Sequence, residues 1–340
     1  MKNIMKIALV ALTALSFSVA NAGDLAISGD AKASYSITSS DSGAGAIEQG
    51  KGLGVSNEFT LSASGELDNG FTWSYAQDID NATVQDDASI AIGMDYGTIK
   101  ICVSECGLST KYAFDNSAYG IGSDTGYGGG STSSGASANT MQYGSNISGY
   151  NNIQYHTPAD VLPLGISFKA GMTPGRAGGT ANDSVHSTTG VTHAGSMKQY
   201  ALTMAPNDGL TLSGSYYTFG DLGSQDSRQS KEGGSLSANY SIGQISVGYG
   251  ETRHAPNQEM ARTDMDSTDV TMHYENKGYS VGFAVNDNLS ISYTEENSDK
   301  KIKQKSTKGV KTDNSVEMEI TTIDVAYTIG GATLGLSNSE

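Results

Sequence analysis

Residues 64–80 read SGELDNGFTWSYAQDID. Asp68-Asn69-Gly70 is a tight-turn signal, since Asn and Gly tolerate the positive φ that short hairpin loops demand. After it, Phe71, Trp73, Tyr75 and Ile79 keep a two-residue spacing, with Thr72, Ser74, Ala76 and Asp78 between them. A period of two puts the aromatics on one face of a β-strand and the polar residues on the other. Which face meets the core, and whether there is a protein core at all, decides the fold.

The same pattern fills the chain. Leu25, Ile27, Ala31, Ala33, Tyr35 and Ile37 alternate with Ser28, Asp30, Lys32 and Ser34. Later copies include Ile99, Ile101, Val103; Tyr200, Leu202, Met204; Ile245, Val247, Tyr249; and Ile323, Val325, Tyr327. No comparable helical period follows the first 22 residues. With 43 glycines, 18 tyrosines and only 5 prolines, the composition fits an all-β chain and not a disordered one.

Residues 1–22 form an export signal. Lys2 and Lys6 charge its start, Ile7 to Ala20 is apolar, and Ala20-Asn21-Ala22 predicts cleavage after Ala22. Losing both lysines takes the net charge from -16 to -18, which disfavours nucleic acid as a partner. Cys102 and Cys106 are the two cysteines. Export permits a disulfide. In one extended strand the pair would lie about 13 Å apart, whereas a bridge needs about 7 Å. Bridging therefore requires a turn at Ser104-Glu105, and the sequence leaves it open.

Connections alternate in length. Short turns sit at Asp68–Gly70, Tyr96–Gly97, Pro206–Gly209, Gly243, Asn286–Asn288 and Gly330–Gly331. Long polar loops run over residues 38–52, 80–87, 104–150, 173–196, 220–233, 253–267 and 298–315. This is the rhythm of an up-and-down transmembrane barrel, whose apolar face meets lipid and whose polar face lines water. Tyrosines near strand ends suit the membrane–water boundary. The apolar parity changes near Asn276-Lys277-Gly278, and one long bulged strand over residues 268–285 is the preferred reading. Fifteen strands are then visible, whereas single-chain barrels use even numbers; the count predicts that a sixteenth strand is missing.

Three stretches carry a family resemblance: GDLAISGDAKASYSI from Gly23, FAVNDNLSISYT from Phe283, and AYTIGGATLGLS from Ala326. Over the whole chain the sequence resembles the general diffusion porins of Gram-negative bacteria, above all the alphaproteobacterial ones. The resemblance implies a transmembrane antiparallel β-barrel of sixteen strands over residues 23–340. It also implies an outer-membrane location and a homotrimer in lipid and lipopolysaccharide. The activity implied is passive diffusion of small hydrophilic solutes and ions through a water-filled channel. In the family the third external loop folds inward and narrows the pore, which here is residues 104–150. The family's final aromatic residue is absent, since this chain ends in Ser339-Glu340.

Selectivity in such a pore comes from its width and from charges facing each other. Asp115 and Asp124 are the loop's candidate acids; alternation places Lys32, Lys100 and Lys169 on the water-lined wall. The overall acidity predicts mild cation preference. No H-E-x-x-H, G-x-S-x-G or P-loop occurs, so no enzyme, metal or cofactor is expected. Two other readings stay open: a substrate-specific channel, or a surface β-protein for adhesion or binding with no pore. An ordered inward run of aromatics would favour the specific channel, but the inward positions are mainly Ser, Thr and Gly, with Tyr217 an exception.

Overall fold

In the computed structural model, the Asp68–Gly70 stretch turns as its residues dictate. Gly70 takes φ 81°, Leu67 N donates to the Phe71 carbonyl at 2.7 Å, and Phe71 N donates to Asn69 Oδ1 at 3.1 Å. The structure describes residues 25–38, 50–80, 87–103, 105–119, 144–158, 161–173, 196–220, 227–229, 231–255, 258–259, 270–305, 311–330 and 332–339.

These residues build an antiparallel sheet of fifteen strands, and a separate short ladder pairs Ser227–Gln229 with Gln258–Glu259 inside two segments expected as loops. In chain order the fifteen are β1 (Leu25–Thr38), β2 (Gly50–Glu66), β3 (Thr72–Asp80), β4 (Ala88–Met94), β5 (Gly97–Val103), β6 (Asn152–His156), β7 (Ser167–Thr173), β8 (Met197–Asn207), β9 (Leu210–Phe219), β10 (Glu232–Ile242), β11 (Ile245–Ala255), β12 (Val270–Asn286), β13 (Leu289–Lys305), β14 (Lys311–Ile329) and β15 (Ala332–Ser339). Each strand pairs with its neighbours in sequence, and β1 and β15 are the two edges. The strand count of this sheet matches the alternation, and among the described residues no sixteenth strand joins it.

The opening question is answered by burial. Leu236 is 71% exposed and Leu334 75%, while Thr294, Glu296 and Asp324 are fully buried. Apolar side chains face outward and polar ones inward, the reverse of a soluble sandwich. Trp73 and Tyr75 belong to the outward set, in register with Ile92 and Ile90, and the Trp73 ring lies over Gly65. Tyrosines mark one border of the apolar band. Tyr216 donates its hydroxyl to Glu232 at 2.7 Å and Tyr293 to Glu295 at 3.0 Å, and Tyr249 donates to Glu251. An amphipathic ring ending on a carboxylate suits the step from hydrocarbon to water.

Two sequence expectations are corrected. The ladder between β11 and β12 runs from Ile245–Phe283 to His254–Tyr274 without a break, so parity does not change at Gly278. The long strand is one strand, as expected, but its register shifts against β13 lie between Thr271 and His273 and between Ala284 and Asn286. Tyr274 therefore falls on the inward parity with Asn276, and its ring stacks on His254 with centroids 5.9 Å apart. The supposed loop 298–315 is mostly strand: β13 and β14 stay paired from Leu289–Tyr327 up to Lys305–Lys311. Polar residues continue a ladder beyond the apolar band because inter-strand backbone bonds do not require apolar side chains.

Candidate functional site

The first part of the long loop, residues 105–119, lies against the polar inner face. Its path can be followed by its hydrogen bonds. Thr110 N donates to Ser215 Oγ in β9 at 3.2 Å, and its hydroxyl pairs with Ser235 in β10 at 3.0 Å. Asn239 Nδ2, also in β10, donates to Asn116 Oδ1 at 2.9 Å. Asn116 N donates to Ser280 Oγ in β12 at 3.1 Å, and Ala118 N to Ser292 Oγ in β13 at 2.7 Å. Tyr119 ends the run over Gly335 in β15. Small inward hydroxyls thus serve as the loop's bed.

This path also shows that the sheet curls. A flat sheet would set β5 and β15 about 48 Å apart. The thirteen steps from Cys106 to Tyr119 reach at most about 47 Å when extended. Two β-turns, closed by Ala113 N to Thr110 O and Asp115 N to Tyr112 O, both at 3.0 Å, shorten them further. The wall bends around the loop, which occupies the interior.

The loop's two ends are stitched together beside β5–β8. Asn146 Oδ1 accepts from Leu108 N at 3.0 Å and from Ser109 N at 3.3 Å. Ile147 N donates to the buried Gln199 Oε1 at 2.7 Å. Leu108 and Ile147 share an apolar cluster with Met197, Ala201, Tyr217 and Phe219. Cys102 and Cys106 are bridged, with Cα atoms 6.1 Å apart; Cys106 takes φ 66°, which turns the chain back toward β5. Gln154 in β6 donates to the Cys106 carbonyl, and Asn152 Nδ2 donates to the Glu105 carbonyl at 3.1 Å. Serine at both cysteine positions is expected to cost about 2 kcal/mol, the loop-closure entropy of so short a ring. The check is a lower urea midpoint in detergent micelles.

Three of the five candidate charges can be placed, Lys100 and Lys169 on β5 and β7 and Asp115 beside β13. Lys100 in β5 is in register with the buried Ala91 and Gln154, and Lys169 in β7 with His156 and the buried Ala201. His156 Nε2 lies 2.8 Å from Gln154 Oε1, so a polar ladder joins the two lysines' strands. Asp115 lies elsewhere. Its Oδ1 accepts from Ser117 N at 3.0 Å and from Thr294 Oγ1 in β13 at 3.4 Å. From β5 to β13 is eight strands around the sheet. Lys32 pairs with Ser56 in the β1–β2 ladder. Asp124 and the cleavage site at Ala22 lie outside the described residues.

Several residues here were not singled out by sequence reasoning. Glu296 and Asp324 are fully buried on the inner wall, and Ser292 Oγ donates to Asp324 Oδ2 at 3.4 Å. Their even parity within β13 and β14 was the available signal. Tyr217, noted as an inward exception, is buried and shares a hydrogen bond with His254 Nδ1. With Phe219 and Tyr274 these rings form an inward aromatic group. Tyr217, Phe219 and His254 are each at most 5% exposed, so they support the loop and do not line an open path. Asp78, Asp87 and Glu105 bring carboxylate oxygens within 4.8 Å of one another, the one such group among the described residues.

Comparison with known proteins gives a consistent result. Residues 8–334 match the family model described as Gram-negative porin. A porin refined at 1.8 Å is 14% identical, with TM-score 0.59, covering 93% of this chain and 95% of its own. An anion-selective porin from Comamonas acidovorans is 12% identical, with TM-score 0.58, covering 93% and 88%. The in-vitro folded OmpT of Vibrio cholerae, in its trimer form, is 10% identical, with TM-score 0.56, covering 94% and 90%. A comparison with curated proteins gave no match.

Proposed function

Because the chain belongs to the Gram-negative porin family, we propose that opposed charges inside its channel, Asp115 against Lys100 and Lys169, decide which small hydrophilic solutes and ions pass. The protein is a porin of the bacterial outer membrane, a channel for passive diffusion, and its family is one of channels and not of enzymes. One observation carries the proposal: the loop holds Asp115 beside Thr294 in β13, eight strands from Lys100. Eight strands is about half-way round a barrel of this size. Acids on one side and bases on the other set up a transverse field where the loop narrows the water path. Alternation makes Lys32 a further candidate base, and Asp124 is a further acid of the same loop sequence.

The remaining parts of the reading follow from the same premise. Residues 1–22 act as the signal peptide, cleaved after Ala22, and residues 23–340 form the barrel with residues 104–150 as its constriction loop. The apolar outer face supports contact with outer-membrane lipid and lipopolysaccharide. A homotrimer is supported by the trimer form of the structurally similar OmpT. Swelling of proteoliposomes tests the solute reading. Pentoses and hexoses are expected to enter, with rates falling steeply for larger oligosaccharides. Uptake limited to one sugar, saturating at low concentration, would instead establish a substrate-specific channel.

A further inference from the structure

Beneath the loop, one patch of inner wall lacks side chains. Gly248 and Gly250 in β11 and Gly278 and Gly282 in β12 share the inward parity, and Gly250 pairs directly with Gly278. On the outer side of the same wall, Tyr249 and Tyr279 are paired, with ring centroids 5.2 Å apart. Glycine inside a strand weakens it and marks a place where something approaches the backbone closely. Here that is Phe114, which is 1% exposed. A methyl group on Gly250 would fall 2.6 Å from Phe114 Cδ1, and one on Gly278 would overlap the far edge of the same ring. The Phe114 backbone crosses Gly248 just as closely, and the Asn116 carbonyl oxygen would meet a methyl on Gly282 at 2.8 Å.

Ser280, between the glycines, fastens the ring in place. Its hydroxyl donates to the Phe114 carbonyl and accepts from Asn116 N at 3.1 Å. Asn116 Nδ2 donates to the Phe114 carbonyl at 3.1 Å. Asp115 sits between these two anchored residues.

We propose that Phe114, plugged into the socket of Gly248, Gly250 and Gly278, is the positioning residue of the constriction: it sets the open width of the channel and fixes the Asp115 carboxylate against β13. This rests on the porin reading. A side chain two bonds from its backbone cannot hold its place when the neighbouring residue leaves its seat. Loss of the plug therefore changes both how much current passes and which ions carry it.

The test is planar-bilayer recording on the full-length mature chain, with folding checked by heat-modifiable migration. Phe114→Ala is expected to raise single-channel conductance roughly twofold, broaden its distribution and weaken cation preference. Gly250→Ala is expected to act in the same direction, because its methyl group expels the ring from the opposite side. A bulky Phe114→Leu should recover much of the wild-type behaviour. In the Phe114→Ala background, an oxidised Asn116→Cys/Ser280→Cys cross-link should restore conductance and selectivity, with wild-type protein treated identically as the control for the native bridge.

A folded Phe114→Ala with wild-type conductance and selectivity would overturn the proposal. Should that variant not fold, the cross-link in the otherwise wild-type chain decides. Oxidation leaves its conductance where it was if the loop already sits at β12, and changes it if the loop does not. Absence of current from the wild-type chain would count against the channel itself and not against the plug.

Discussion

With Lys100 and Lys169 both changed to glutamate, the channel is expected to favour cations over anions more than tenfold beyond wild type in dilute salt. The estimate follows from Coulomb's law. An ion passing about 10 Å from a unit charge in water feels about 0.4 kcal/mol. Two charge reversals amount to four units, or about 1.7 kcal/mol, and 1.4 kcal/mol is a factor of ten. The reversal potential across a tenfold salt gradient reads the change. At 1 M salt the screening length falls to about 3 Å, and most of the effect should disappear. Asp115→Lys should move selectivity the other way. Both lysines share the polar inner face with Gln154 and His156, so the substitutions leave the lipid-facing surface untouched. Unchanged reversal potentials in all three positions would remove these side chains from the ion path.

The second large effect tests the inside-out wall. Val247→Arg and Ser246→Arg alter adjacent residues of β11. Val247 belongs to the exposed apolar set, in register with Tyr240 in β10 and Val281 in β12. Ser246 belongs to the other face, and its hydroxyl lies 2.8 Å from that of Ser241. Arginine facing the middle of the bilayer costs about 2–4 kcal/mol, less toward the interfaces. Arginine facing water costs little of this. Val247→Arg should therefore sharply lower folding yield into lipid vesicles, while Ser246→Arg folds and alters the current. Equal yields would mean that the two faces do not meet different solvents.

Why the sequence was legible in some places and not in others follows from the physics of the sheet. A strand with lipid on one side and water on the other must alternate, so the fifteen strands and the turn at Asn69-Gly70 can be read locally. Strand ends beyond the membrane carry no such constraint. That is why residues 298–305 and 311–315 read as loop although they continue the β13–β14 ladder. The parity change expected near Gly278 does not occur for a related reason: above the apolar band an aromatic such as Tyr274 can face inward and stack, as it does on His254.

The site was less legible still. Lys100 and Lys169 followed from parity, but the position of Asp115 depends on contacts with residues about 180 places later in the chain, such as Thr294. No local period encodes that. The socket did leave a trace. Gly248-Tyr249-Gly250 and Gly278-Tyr279 put glycine on alternate positions where the inward set elsewhere carries hydroxyls. Alternating glycine opposite alternating tyrosine signals close approach from inside, but only the folded chain shows that Phe114 makes it.

Single-channel recording in a planar bilayer, with detergent-purified mature protein across a range of potassium chloride concentrations, tests the central claim most directly. A water-filled pore narrowed by a seated loop predicts steady current steps whose size rises in proportion to salt, with a mild preference for cations. Folded, membrane-inserted protein that passes no current at any salt concentration would contradict it.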